Sequence, residues 1–402
     1  FAGGHTTLAV WANDPVALER ERAVLRGAVR LDVFHAPPTD GSARFNAAPL
    51  EDRVWTPGEE VFFDVVMVNE RVGHRFPAGT ADVADTWLEV SVLDAQGHSL
   101  AQSGALKAED PGPLRDDAHR LEVKPVDEQG QPALMRDPHR YRGVVYDTTI
   151  PPRASRVVRY SWRVPAGNTA SYTVRVRLLH RRLARPYYDL VCRRAPGDQG
   201  RPCPTQPVTE VAAFESVVGS SARWTPMQSP DSPRWRRFYD HGRALVEWNV
   251  QERVAQASAS LDTVVREAPE RAEGYVEMAR LAIRQGRTED AYHWLDEAGR
   301  RAPDAPVVPY LRGVAASDVW RWPETVAPLE RAHTLAPGNV RIAEMLANSL
   351  GIANRHRDAW RVITGGLVID PERAQLHSLQ ALELRGFGAP EADIEAAQSA
   401  WL

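Results

Sequence analysis

A chain of 402 residues is too long for one ordinary hydrophobic core and predicts two or three domains. Its net charge of −4 and pI near 6.3 give no electrostatic case for nucleic acid or an anionic membrane surface as a general partner. No apolar run reaches the ~18 residues of a membrane span, so no transmembrane helix is expected.

Positive charge is almost all arginine, with Lys107 and Lys124 the only lysines. The chain opens at Phe1 with neither an initiator methionine nor a charged-then-apolar leader, which reads as a processed product or a piece of a longer chain.

Asp14 followed by Pro15 predicts an N-cap with proline at the first helical position, and Ala17, Leu18, Val24, Leu25 and Ala28 share one face at helical spacing. "VRLDVFHAP" then reads as extended. Residues 1–50 are thus expected to be a helix and an extended segment, ahead of a domain over 51–220 where the period changes to two. In "VVRYSWRV", Val158, Tyr160, Trp162 and Val164 alternate with Arg159, Ser161 and Arg163; in "YTVRVRLL", Tyr172, Val174, Val176 and Leu178 do the same. "VFFDVVMV" and "WLEVSVL" add strands, "DAQGHS" and "PPRAS" supply turns, and an antiparallel β-sandwich is the economical solution.

Cys192 and Cys203, the only cysteines, lie in the polar loop "CRRAPGDQGRPC". They suggest a disulfide in an oxidising compartment, stabilising by about 2–3 kcal/mol, with two free thiols as the alternative. No histidine in the loop completes a zinc set.

Residues 221–237, including "SPDSPRW", read as a linker. Beyond it, Pro269, Pro303, Pro337 and Pro371 recur 34 residues apart, closing "REAP", "RRAP", "TLAP" and "VIDP". That period with proline at the junction is the tetratricopeptide signature. Tyr275, Ala279, Ala282, Gly286, Ala291, Leu295 and Ala298 occupy its packing positions in one unit. The unit from Pro306 departs most, with Pro309 and Thr325 where a bulky and a small apolar residue are usual. Residues 238–402 are therefore predicted to form an all-α solenoid whose last, truncated unit from Ala374 caps the stack, and whose concave face suits a protein or peptide.

Motifs for a serine-hydrolase elbow, a zincin, a phosphate-binding loop and covalent haem attachment (CxxCH) are all missing. Two histidines lie beside glycines that permit close backbone approach to a flat ligand: His5 in "FAGGHTTLA" and His74 in "GHRFPAG". For each, the competing reading is an imidazole bonded to its own loop. Asp82 and Asp85 are calcium candidates, set against an Asx-type turn.

The order "NERVGHRFPAGTADVADTWLEVSVLDAQGHSLAQSG", "VDEQGQPALMRDPHRYRGVVYDTTIPPRASRVVRYSWRVPAG" and then repeats ending in "VIDPERAQLHSLQALELRG" resembles the C-terminal portion of periplasmic multihaem c-type cytochromes. In that family a segment with several CxxCH motifs precedes a β-sandwich with a "GHxFPxG" loop and then helical repeats; "FAGGHTTLA" is similar to the stretch after its last haem motifs. The resemblance implies that residues 1–50 are the tail of a haem module and that the chain is exported, either periplasmic or extracellular. It also implies that haem c is carried by an upstream segment or a partner chain, because this chain has no CxxCH to attach haem itself. His5 and His74 become candidate distal axial ligands. The expected function is an accessory region that positions haems in electron transfer and docks a partner on the solenoid. The alternatives are a haem-free tetratricopeptide scaffold and part of a multihaem oxyanion reductase.

Overall fold

The computed structural model describes residues 9–10, 12–37, 48–79, 82–106, 112–133, 137–167, 171–194, 205–219, 232–248 and 253–399. The chain divides into two compact units, Phe1–Ala259 and Ser260–Leu402.

In the first unit, helix α1 (Pro15–Leu25) starts as expected: the Asp14 carboxylate accepts from the backbone N–H of Val16 at 3.0 Å and of Ala17 at 2.9 Å. Its apolar stripe is narrower than the spacing predicts. Leu25 is buried, whereas Val24 is 59% exposed.

The strands are β1 (Val29–Ala36), β2 (Ala48–Pro49), β3 (Glu60–Asn69), β4 (Asp85–Leu93), β5 (Ser99–Ser103), β6 (Val123–Val126), β7 (Gly143–Asp147), β8 (Ser155–Arg163), β9 (Ser171–Arg181) and β10 (Thr209–Gly219), with helix α2 (Arg185–Arg194) between the last two. They form two four-stranded antiparallel sheets, β2-β1-β3-β8 and β10-β9-β4-β5, and a separate β6–β7 ribbon. The alternating residues meet between the sheets: Val33, Phe63, Val65 and Met67 from the first pack with Leu88, Val90, Val174 and Val176 from the second. Strand β1 pairs with β3 along Val29–Ala36, so the sandwich takes one of its inner strands from within residues 1–50.

Strand β3 is buried on both faces because helix α3 (Arg234–Trp248) covers the outer side of the first sheet. That explains the near-continuous apolar run "VFFDVVMV". It also raises the question of how Asp64, in the middle of the run and fully buried, is tolerated. Arg159 lies directly opposite it on β8 and donates two bonds, Nε to Oδ1 at 2.8 Å and Nη2 to Oδ2 at 2.7 Å. His241 of α3 adds Nε2 to Oδ2 at 3.1 Å while its ring stacks on Phe34 at 4.3 Å. Burial alone would raise the Asp64 pKa, but the bonds from Arg159 and His241 hold it down to about 2.

Arg237, also buried on α3, donates to both carboxylate oxygens of Asp32, at 2.8 and 2.7 Å, and to Glu51. Burial would lower its pKa; the Asp32 and Glu51 bonds raise it instead. Asp240 completes the layer, held by Arg30 and by Arg236. Residues 220–231, most of the expected linker, lie outside the described residues, and α3 begins at Arg234.

Helix α4 (Val254–Glu267) spans the boundary between the units, with Ala257, Leu261 and Val264 buried. The second unit then holds α5 (Ala272–Arg284) with α6 (Thr288–Arg301), α7 (Val307–Asp318) with α8 (Val326–Leu335), α9 (Val340–Ile352) with α10 (His356–Ile369), and α11 (Ala374–Phe387) with α12 (Glu391–Ser399). This is a tetratricopeptide solenoid. Ala279, Ala282, Ala291, Leu295 and Ala298 are completely buried, as their register requires.

The departures near Pro306 have local reasons. Pro309 sits in the first turn of α7, where its missing N–H costs nothing. Thr325 is buried with its hydroxyl donating to the Trp322 carbonyl at 2.8 Å. No helix among the described residues is long and apolar enough to cross a membrane.

The turns within the pairs show a second periodicity. Gly286, Trp320, Asn354 and Gly388, each 34 residues after the last, all have φ between 58° and 69°. Glycine and asparagine enter this left-handed region readily; a tryptophan pays roughly 1–2 kcal/mol.

Arg237→Ala leaves Asp32 and Glu51 buried without their shared cation and is expected to destabilise the first unit by about 3–5 kcal/mol in urea unfolding. Trp320→Gly relieves the turn and is expected to stabilise the solenoid by up to about 1 kcal/mol, raising its thermal midpoint by a few degrees.

Candidate functional site

The "GHRFPAG" loop follows the last residue of β3, and that residue organises it. Asn69 is fully buried, yet its side chain is satisfied: Nδ2 donates to the carbonyls of His74 at 2.9 Å and Ile150 at 3.0 Å, while Oδ1 accepts from the Val72 N–H at 3.2 Å. Phe76 exchanges both backbone bonds with Ile150 and places its ring in the sandwich core. Arg75 pairs with Asp147 at 3.0 Å, which ties the loop to the end of β7.

On this anchored base the His74 side chain is exposed. Its Nδ1 lies 2.9 Å from the Arg75 carbonyl. A carbonyl only accepts, so Nδ1 is the donor, and in the neutral ring Nε2 is the nitrogen that carries the lone pair. A Cβ at Gly73 or Gly79 would meet nothing within 4 Å, so the backbone beside His74 is open to approach. The imidazole bonded to its own loop and the imidazole available to a ligand are therefore one arrangement. His5, the other candidate ligand, lies outside the described residues.

Asp82 and Asp85 do not converge on a cation site. Asp85 pairs with the buried Arg181, whose Nε donates to Oδ2 at 2.7 Å, so a guanidinium already neutralises it; Asp82 accepts from the Tyr141 hydroxyl at 2.7 Å. Among the described residues no group of three or more His, Cys, Asp or Glu is placed to hold a metal ion.

Both aspartates instead line a cleft of about 630 Å³ together with His119, Glu122, Lys124 and Tyr146. These residues come from separate segments of the chain and share no local motif. Their one available signal was Lys124, a lysine in a chain that otherwise uses arginine. Burial, and then the nearby Arg156, push His119 down to about 4, and its Nε2 is buried without a partner among the described residues. Cys192 stands in the last turn of α2 and Cys203 lies outside the described residues.

Residues 251–313 match the family model described as tetratricopeptide repeat. No curated protein matches the chain. Among solved structures, the chain is similar to a penta-haem cytochrome c552 from Thermochromatium tepidum, with 20% identity and a TM-score of 0.33 over 49% of this chain and 41% of that one. It is also similar to MamA in two crystal structures: 16% identity and a TM-score of 0.36 over 42% of this chain and 90% of that one, and 14% and 0.34 over 44% and 94%. The chain thus spans about two-fifths of the length of the cytochrome it matches. The helical half is a tetratricopeptide-type scaffold for protein–protein interaction.

Three histidines in the first unit titrate abnormally, and their sign sets its acid response. Burial lowers His35, His119 and His180 to about 4. In the unfolded chain each protonates near 6.5, so from about pH 6.5 down to about pH 4 the unfolded state binds more protons and stability falls. The Asp64 contribution has the opposite reference, persisting until pH falls below about 4 and disappearing toward its folded value of about 2. Thermal unfolding followed through this range should show the first unit weakening well before carboxylates protonate. His180→Gln should reduce the pH slope by about one proton.

Proposed function

We propose that this chain is the accessory region of a periplasmic multihaem c-type cytochrome, in which the β-sandwich presents a histidine to a haem held elsewhere and the solenoid docks a partner. The order of the sandwich motifs and the repeats supports the family. The observation that carries the reading is His74, exposed on a loop fixed by Asn69 and Phe76, with Nδ1 bonded to the Arg75 carbonyl, which in the neutral ring leaves Nε2 as the nitrogen with the lone pair. That pre-set tautomer on a rigid base is what an axial ligand needs.

A c-type haem bound there would supply one-electron chemistry. This chain's part is to place an imidazole at a defined distance and to hold its tautomer. His5 is the second proposed ligand, and a Cys192–Cys203 bond in an exported protein is part of the same proposal. The rival reading, a haem-free scaffold, accounts equally for the family match over residues 251–313 and predicts that His74 is only a loop residue.

Visible spectra of the natively purified, dithionite-reduced protein, with intact mass before and after thiol alkylation, separate the two. Sharp c-type α and β bands with excess mass support the cytochrome reading; a bare-chain mass supports the scaffold. Alkylation without prior reduction would exclude the disulfide. Ligand capacity is tested directly by titrating a soluble haem c peptide that has one open axial position. His74→Ala should weaken low-spin complex formation by about tenfold or more, whereas His98→Ala and His139→Ala, both at exposed histidines, should leave it unchanged. Equal behaviour of all three variants would remove His74 from the ligand role.

A further inference from the structure

The least economical residue of the solenoid is Trp320. It occupies the left-handed turn position that glycine or asparagine takes in the equivalent turns, and its side chain is 77% exposed, where it gains little burial to offset that strain. Two residues on, Trp322 is half-buried and stands edge to face with it, ring centroids 5.8 Å apart at 84°. Two indoles at right angles leave ring faces open to solvent.

The charges around this corner have one sign in excess. In "SDVWRWPE", Asp318 precedes the pair, Glu324 follows it, and Arg321 between them is committed to Glu289 at 3.0 Å, with Glu324 at 4.0 Å. Asp318 has no cation partner among the described residues, and partial desolvation raises its pKa. Nearby Arg312 is likewise occupied, by Asp296 and the face of Tyr292. The corner therefore offers aromatic faces and a carboxylate with no counter-ion among the described residues, while Arg312 and Arg321 are both ion-paired.

We propose that the Trp320–Trp322 turn is a docking point for a basic segment of a protein partner, an arginine or lysine side chain lying on an indole face and its charge meeting Asp318 and Glu324. Indole is the strongest cation–π acceptor among the side chains, and tryptophan is enriched at interface hot spots. The strain at Trp320 is maintained because the turn projects the ring outward. This site is on the edge formed by the turns within the helix pairs. It stands independently of the haem reading, since it needs neither His74 nor a haem.

The test uses the full chain labelled with fluorotryptophan and observed by fluorine NMR, with the lines of residues 320 and 322 assigned from Trp320→Gly and Trp322→Phe. The probe is N-acetylated tri-arginine amide, with the neutral tri-citrulline isostere as control. Both lines should shift saturably with the arginine peptide, the shift should shrink in high salt, and citrulline should leave them in place. Asp318→Asn and Trp320→Gly should each weaken binding by about two- to fivefold, the range of one exposed cation–π or ion contact. Because Trp320→Gly is expected to fold at least as stably as the parent, its loss of binding cannot be put down to unfolding. Absence of any shift at millimolar peptide, or equal shifts with citrulline, would overturn the proposal. A response at other tryptophan lines alone would overturn it as well.

Discussion

The first unit depends on a sheet of charge closed between α3 and the outer face of the β2-β1-β3-β8 sheet. Asp32, Asp64 and Glu51 come from one side, Arg237, His241 and Asp240 from the other, and Arg30, Arg159 and Arg236 supply further cations. Each ion has lost its water, a cost of several kcal/mol that close bidentate geometry only offsets. The layer is therefore weak as a source of net stability and strong as a selector of one docking geometry. An apolar helix would bury against β3 in several registers with similar energy. Arg237 reaching both Asp32 and Glu51 while His241 stacks on Phe34 is satisfied in one.

The same asymmetry governs the histidines. His180 is buried with Nδ1 2.7 Å from the Thr86 hydroxyl, and His241 is buried against Asp64; both are consumed by structure. His74 differs because the one partner of its imidazole is a backbone carbonyl. The Asn69 side chain holds the loop from below through carbonyls, and the Arg75 carbonyl orders the imidazole, with no hydrogen bond to Nε2 among the described residues. Asp82 and Asp85 show the converse. Their spacing looks open for a cation, but Tyr141 and Arg181, which are distant in sequence, take the oxygens.

What is legible in the sequence follows from which interactions are periodic. The strands from "VVRYSWRV" and "YTVRVRLL", the Asp14 cap and the 34-residue repeat are local or repeating patterns, and the structure places them where the pattern puts them. The inclusion of β1 in the sandwich is not legible, because "VRLDVFHAP" is covered on both sides and lacks alternation. Nor is the ionic layer: Asp64 and His241 are 177 positions apart, and an aspartate inside an apolar run signals only that something must neutralise it. The His119 cleft is likewise assembled from segments remote from one another in the chain.

Trp320 is a different case, because its position is marked by the repeat and its meaning is not. Aligning the units on their prolines places Gly286, Trp320, Asn354 and Gly388 in one column. Two glycines and an asparagine in that column are the residues a left-handed turn selects. A tryptophan there violates the local rule on which its neighbours agree, and such violations concentrate where something other than folding is being served. Thr325 breaks the pattern five residues later, but its hydroxyl finds the Trp322 carbonyl and the departure closes within the fold. Among the described residues no comparable side-chain bond accounts for Trp320, whose ring stands at right angles to that of Trp322. The distinction between a departure satisfied inside the molecule and one satisfied only by its surroundings is what separates a tolerated substitution from a candidate contact.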